Sequence, residues 1–107
     1  MGPVNESELE WDAEEHGEAR FRRKQLGEAG DGERIGCGLY ELPAGSRSWP
    51  YHYHAANEEA MYVLSGSGSL RLAGETYPIE AGDYVAFPAN ESGAHRVIND
   101  SEEPLRY

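Results

Sequence analysis

The sequence predicts an all-β domain, either a barrel or a sandwich of short strands. Runs in which apolar and polar residues alternate recur about every 8–12 residues. Clusters of Gly, Pro and Asn separate these runs, and no stretch has a strong helical period. With 107 residues, the chain has the length of one domain.

The first 19 residues differ from the rest in charge. They contain seven of the 20 acidic residues of the chain and none of its nine Lys and Arg residues. We expect residues 1–19 to form an acidic tail that is flexible or folds into a short helix, for which Ser7 and Glu10 have the spacing of a capping box. His16 lies in this tail and is expected to be solvated.

The net charge of −11 argues against nucleic acids and anionic membranes as partners, because both need a basic face. A basic patch that follows the tail is expected to bind the tail or its own strand neighbours. It consists of Arg20, Arg22, Arg23 and Lys24 around Phe21. No apolar run approaches the roughly 20 residues that span a bilayer. The first 15 residues also lack the basic start and apolar stretch of a signal peptide, so we expect a cytoplasmic protein. Its acidic, lysine-poor composition resembles that of proteins from salt-loving organisms.

After the basic patch, the chain is predicted to form short strands. They cover 34–42, 49–54, 59–64, 69–72, 76–79, 84–87 and 95–99, and a last strand begins at 105. In the first of these, Ile35, Cys37 and Leu39 share a face, so the single cysteine is expected to be packed in a strand. The other expected core or cavity-lining residues are Met61, Val63, Leu70, Leu72, Tyr77, Val85, Phe87 and Val97.

The predicted domain covers residues 20–107 and ends as its last strand begins. Either the barrel lacks its last strand or strands, or Tyr107 lies at an edge. An unpaired edge strand invites pairing with a second chain, so we expect a homodimer.

The clearest chemical signal is His52-Tyr53-His54, followed five residues later by Glu59 and much later by His95. Side chains at positions i and i+2 of a strand project from the same face, as two ligands of one metal ion must. Three of the four histidines of the chain belong to this set. The pattern predicts a metal site built on β-structure.

At these residues the chain resembles the cupin superfamily. Its first motif is matched by Gly45, His52, His54, Glu59 and Gly66, and its second by Gly82, Pro88, His95 and Asn99. Gly45 lies one residue further from the first histidine than the pattern allows, and the loop from Pro88 to His95 is two residues longer. Glu58 and Glu59 both fit the spacing from His54, but counting back from Gly66 selects Glu59. Glu59 also shares a face with Met61 and Val63, so Glu58 should point outward.

The resemblance implies a double-stranded β-helix, the jelly-roll barrel of cupins, with a divalent metal in its mouth bound by His52, His54, Glu59 and His95. Three imidazoles and a carboxylate suit Zn, Mn, Fe, Ni or Cu. Tyr51, Tyr53, Asn57 and Asn99 are candidates to orient these ligands.

Three functions remain open from the sequence. The first is a small-molecule metalloenzyme of the oxygenase, decarboxylase or isomerase type, with its metal as Lewis acid, as activator of water or as carrier of O2. The second is a non-catalytic module that binds a sugar or an organic acid. The third is a domain whose metal only braces the barrel. No catalytic residue is assigned, because no further His or Lys lies near either motif to act as a general base.

Overall fold

The computed structural model describes residues 2–49 and 58–107, in which nine strands form antiparallel sheets. The strands are β1 (Asp12–His16), β2 (Ala19–Gln25), β3 (Gly38–Leu42), β4 (Glu59–Tyr62), β5 (Ser67–Leu72), β6 (Glu75–Glu80), β7 (Tyr84–Phe87), β8 (His95–Ile98) and β9 (Leu105–Arg106). One short helix, α1 (Leu26–Ala29), follows β2, and single 3-10 turns lie at Glu6–Glu8 and Glu91–Gly93. The all-β prediction is confirmed.

The strands are arranged in three hydrogen-bonded groups with the orders β1-β2-β3-β9, β4-β7 and β6-β5-β8. Isolated bridges join these groups: Arg47 bridges both Ala19 and Ile98, and Ser65 bridges Arg106. Neighbouring strands in the groups are antiparallel, and sequence neighbours are not always spatial neighbours, as in a jelly roll.

The core lies between these groups of strands. Its buried members are Phe21, Leu42, Met61, Val63, Leu70, Ile79, Phe87, Val97 and Leu105. Leu72 and Val85 are partly buried against it. Of the core residues predicted between 61 and 97, only Tyr77 is misplaced: it is 43% exposed, and its hydroxyl donates to Glu75 on the surface.

The N-terminal segment contains more regular structure than the sequence indicated. The 3-10 turn at Glu6–Glu8 is capped by the side chain of Asn5, which accepts from the Ser7 amide, instead of by a capping box of Ser7 and Glu10. Strand β1 then pairs along its whole length with β2, from Asp12 opposite Arg23 to His16 opposite Ala19. Backbone pairing with a neighbouring strand therefore orders a segment whose side chains alone predicted a flexible or short-helical tail.

The strand predicted over 34–42 is shorter in the structure. Strand β3 begins at Gly38, where it meets Gln25, the last residue of β2. The residues before Gly38 have no β2 residue left to pair with, so they form a loop after α1. Ile35 is therefore 72% exposed and Cys37 is also exposed, which corrects the prediction that both pack in a strand.

Within the described ranges, no helix is long and apolar enough to cross a membrane.

Candidate metal centre

Glu59 and His95 are the two predicted ligands that lie in the described part of the chain. Glu59 is the first residue of β4 and is half-buried, two positions before the buried Met61. Its neighbour Glu58 is exposed, as the motif spacing predicted. His95 is the first residue of β8, and its side chain is only 8% exposed. Strand periodicity thus turns both potential ligands toward the interior.

The ring of Phe87 connects these two residues. Phe87 is the β7 residue directly opposite Glu59, and residues opposite each other in antiparallel strands project from the same face. The same ring stacks on the His95 imidazole, with centroids 3.7 Å apart and planes within 8°. The fold therefore places Glu59 opposite Phe87 and stacks Phe87 on His95, although Glu59 and His95 are 36 positions apart in the sequence.

The orientation of the His95 ring is set by the backbone of the preceding turn. Its Nδ1 lies 2.7 Å from the Gly93 carbonyl oxygen, which can only accept a hydrogen bond. Nδ1 must therefore carry a proton, and in the neutral ring the lone pair lies on Nε2. A metal-binding histidine is commonly held in this way, with its other nitrogen donating to a carbonyl. The sequence did not identify Gly93 in this role, because a backbone acceptor leaves no side-chain signal.

Asn99 does not orient His95, although the sequence named it as a candidate. Its amide nitrogen donates to the carbonyl oxygens of Leu42 and Glu103 at 2.9 and 2.7 Å, and its Oδ1 accepts from both the amide and the hydroxyl of Ser101. All four hydrogen bonds that an asparagine side chain can make are thus used, three within the turn after β8 and one to the end of β3. Asn99 is a fully buried structural residue.

The other predicted ligands, His52 and His54, lie outside the described residues, as do Tyr51, Tyr53 and Asn57. In the described ranges, no three His, Cys, Asp or Glu side chains form a group that could hold a metal ion. This result leaves the four-ligand prediction untested, since only two of its members belong to those ranges.

Trp49 is the last described residue before the histidine motif, and it is anchored by other rings. It meets Phe21 edge-on, with centroids 5.6 Å apart, and stacks on His16 at 4.7 Å. The Nε2 of His16 also lies 3.0 Å from the Glu14 carboxylate. His16, expected to be solvated, is 57% exposed but packs against the residue that leads into the motif.

The residues that are present fit a divalent transition metal. An inward carboxylate and a buried imidazole are ligand types that such ions prefer. The hydrogen bond to Gly93 fixes the His95 tautomer that a metal ligand bound through Nε2 would need.

Comparisons with known proteins agree with this architecture. A candidate sugar phosphate isomerase from Acidithiobacillus ferrooxidans is 37% identical and has a TM-score of 0.85, over 94% of this chain and 65% of that one. A sugar phosphate isomerase from a cupin superfamily, from Silicibacter pomeroyi, is 25% identical with a TM-score of 0.87, over 98% of this chain and 71% of that one. An uncharacterized protein from Methanocaldococcus jannaschii is 31% identical over 65 residues, which are 61% of this chain.

The chain spans only half the length of that archaeal relative. The family model that describes the cupin domain matches residues 38–107, which include both cupin motifs. On this match and on its fold, the chain belongs to the cupin family.

Proposed function

We propose that this chain is a metal-dependent isomerase that acts on a small sugar-like molecule carrying a phosphate. The observation that carries the proposal is that Phe87 lies opposite inward-facing Glu59 in the β4–β7 pair and stacks on the His95 ring. The choice of isomerase among the activities left open by the sequence is supported by the 37% identity to the Acidithiobacillus protein over 94% of the chain.

The predicted metal ligands suit the interconversion of an aldose and a ketose. Interconversion of an aldose and a ketose moves a hydrogen between neighbouring carbons, which is easier when the carbonyl oxygen is polarised. A divalent ion held by His52, His54, Glu59 and His95 would supply that polarisation as a Lewis acid.

The chain's own contribution is to orient and shield this site. The Gly93 carbonyl fixes the proton of His95 on Nδ1, and the Phe87 ring covers one face of the imidazole. Both contacts restrict the rotation of the ring, so it is held in position before a ligand arrives.

Metal content tests the ligand set. Protein purified without added metal is subjected to elemental analysis, together with the variants His52→Ala, Glu59→Ala and His95→Ala. His16→Ala is the matched control, because it removes the histidine that lies outside the set. We expect stoichiometric metal in the wild type and the control, and a strong loss in the three ligand variants. Unchanged metal in the three variants would remove the proposed site.

Turnover tests the reaction. The wild type and Glu59→Ala are incubated with aldose phosphates, and ketose formation is followed by NMR. We expect conversion by the wild type, and its loss in the variant and after chelation. Tight binding of these compounds without conversion would instead support a sugar-binding module, the alternative considered from the sequence.

A further inference from the structure

We propose that Arg23 binds the anionic group of the substrate at the mouth of the barrel. This inference rests on the proposed function, since it assigns a residue to the phosphate of the substrate. It concerns a residue outside both cupin motifs, one that the sequence grouped with a surface basic patch.

Arg23 lies on the inner face of its sheet, unlike its charged neighbours in sequence. It is two residues after the buried Phe21, and residues two apart in a strand share a face. Its β3 partner is Tyr40, which packs against the core. Arg22 lies on the outer face instead, where it pairs with Glu41 at 2.7 Å.

Strand register places Arg23 at the same end of the barrel as His95. Ala19 bridges Arg47 in parallel, and Arg47 bridges Ile98 in antiparallel fashion. Moving forward along β2 therefore corresponds to moving backward along β8, from Ile98 toward His95. Arg23 is four residues forward of Ala19 and His95 is three residues back from Ile98, so both lie toward the same end of the barrel.

The Arg23 guanidinium has unused hydrogen-bonding capacity. Its Nε is buried and has no hydrogen-bond partner among the residues that the structure describes. The nearest carboxylate, that of Glu14, lies 3.9 Å from Nη2, which is too far for a hydrogen bond. The other oxygen of Glu14 is engaged by His16 at 3.0 Å. An arginine commonly binds phosphate or carboxylate through a pair of parallel N–H groups, and the rest of the Arg23 side chain, 27% exposed, is accessible to a ligand.

The adjacent wall of the mouth is aromatic. The Tyr40 ring stacks on that of Tyr107, with centroids 5.4 Å apart and planes within 7°. Burial raises the pKa of Tyr107, whose phenol would be neutral at pH 7 even at its ordinary pKa. In a protein with a net charge of −11, an anion needs such a local cation in order to bind.

Binding of inorganic phosphate and of glucose 6-phosphate, with glucose as the uncharged reference, is measured by calorimetry on the protein as purified. The test variant is Arg23→Gln. Arg20→Gln is the matched control, because Arg20 is an exposed residue of the same strand on the opposite face and its loss changes the net charge equally. Glu14→Gln removes the carboxylate that would compete with the anion.

We expect Arg23→Gln to weaken the binding of both phosphates by at least about tenfold and to leave the binding of glucose unchanged. Arg20→Gln should change affinity by less than about twofold, and Glu14→Gln should tighten phosphate binding. Equal affinity in Arg23→Gln and the wild type, or an equal loss in Arg20→Gln, would overturn the assignment. If Arg23→Gln fails to fold, Arg23→Lys keeps the charge without the paired N–H groups and should bind about threefold more weakly.

This outcome is separable from that of the proposed function. Metal content and ketose formation depend on the histidine motif and Glu59, whereas phosphate affinity depends on Arg23. A protein that lacks metal but binds phosphate through Arg23 would contradict only the isomerase proposal, and the reverse result would contradict only the role of Arg23.

Discussion

Replacing Gly93 by alanine should weaken metal binding without touching any predicted ligand. A Cβ at this position would collide with the Pro88 carbonyl oxygen and would lie 3.0 Å from the Pro88 carbonyl carbon, at the limit of real Cβ contacts. Both neighbours are backbone atoms of the same loop, so no flexible side chain can move aside. The segment from Pro88 to Gly93 must shift by about 1 Å to accept the methyl group.

That shift acts directly on His95. The Gly93 carbonyl oxygen accepts the Nδ1 proton at 2.7 Å, and a displacement of about 1 Å would stretch this bond beyond hydrogen-bonding distance. Loss of a partner that orients a ligand typically costs about 10–100-fold in metal affinity. The overpacked loop should in addition cost about 1–3 kcal/mol of folding stability.

The assay is a metal competition titration against a chromophoric chelator, with urea unfolding of the metal-free protein alongside it. Gly36→Ala is the matched control, because a Cβ there meets no atom within 4 Å. We expect the control to match the wild type in metal affinity. Wild-type metal affinity in Gly93→Ala would refute the claim that this carbonyl orients His95, whereas a loss of stability alone would show only that the loop is tightly packed.

Four further outcomes are expected. Lys24→Met should lower the free energy of unfolding in urea by about 2 kcal/mol, because the buried ammonium donates to the carboxylate and the carbonyl of Glu6 at 2.7 and 2.5 Å. The hydrogen bond from Lys24 holds the pKa of Glu6 below its usual 4.5, so the part of the stability that depends on the Glu6 carboxylate should be present above pH 4.5 and decline on further acidification, and Glu6→Gln should flatten the acid limb of the stability curve. Asn99→Ala should cost about 3 kcal/mol or more in thermal unfolding, since two carbonyl groups lose their donor in the interior. The homodimer stays a prediction, and sedimentation equilibrium showing a monomer at micromolar concentration would refute it.

The succession of strands was predictable because one side of each strand faces a single core. Alternation alone placed Met61, Val63, Leu70, Phe87 and Val97 in the interior, and all five are buried. The residues at which strands begin and end were less predictable. Where β3 begins depends on where β2 ends, which is a property of two segments and cannot be read from the alternation of either one.

The candidate site was predictable to the extent that it depends on spacing. The inward direction of Glu59 and the burial of His95 follow from the motif and from strand periodicity. The contacts that hold these two side chains in place do not follow from the motif or from strand periodicity. The Gly93 carbonyl has no side chain to recognise, and the stacking of Phe87 on His95 joins two strands that are not paired with each other.

The basic patch shows how one sequence pattern divides between two faces. Its prediction, that these residues bind the acidic tail or neighbouring strands, is confirmed for Lys24, which pairs with Glu6, and for Arg22, which pairs with Glu41. Trp11 covers both of these cations, with its ring centroid 4.3 Å from the Arg22 guanidinium and 4.6 Å from the Lys24 nitrogen.

These contacts give the acidic N-terminal residues a structural use on the outside of the barrel. Lys24 is paired with Glu6 and Arg22 with Glu41 of β3, whereas inward-facing Arg23 has its nearest carboxylate, that of Glu14, at 3.9 Å. Because strand geometry separates positions 22, 23 and 24 onto alternate faces, a charge cluster that looks uniform in the sequence divides into paired cations at Arg22 and Lys24 and one inward arginine, Arg23. A substitution that shifted the register of β2 by one residue would therefore exchange these roles, burying an outer cation in the mouth and removing Arg23 from it.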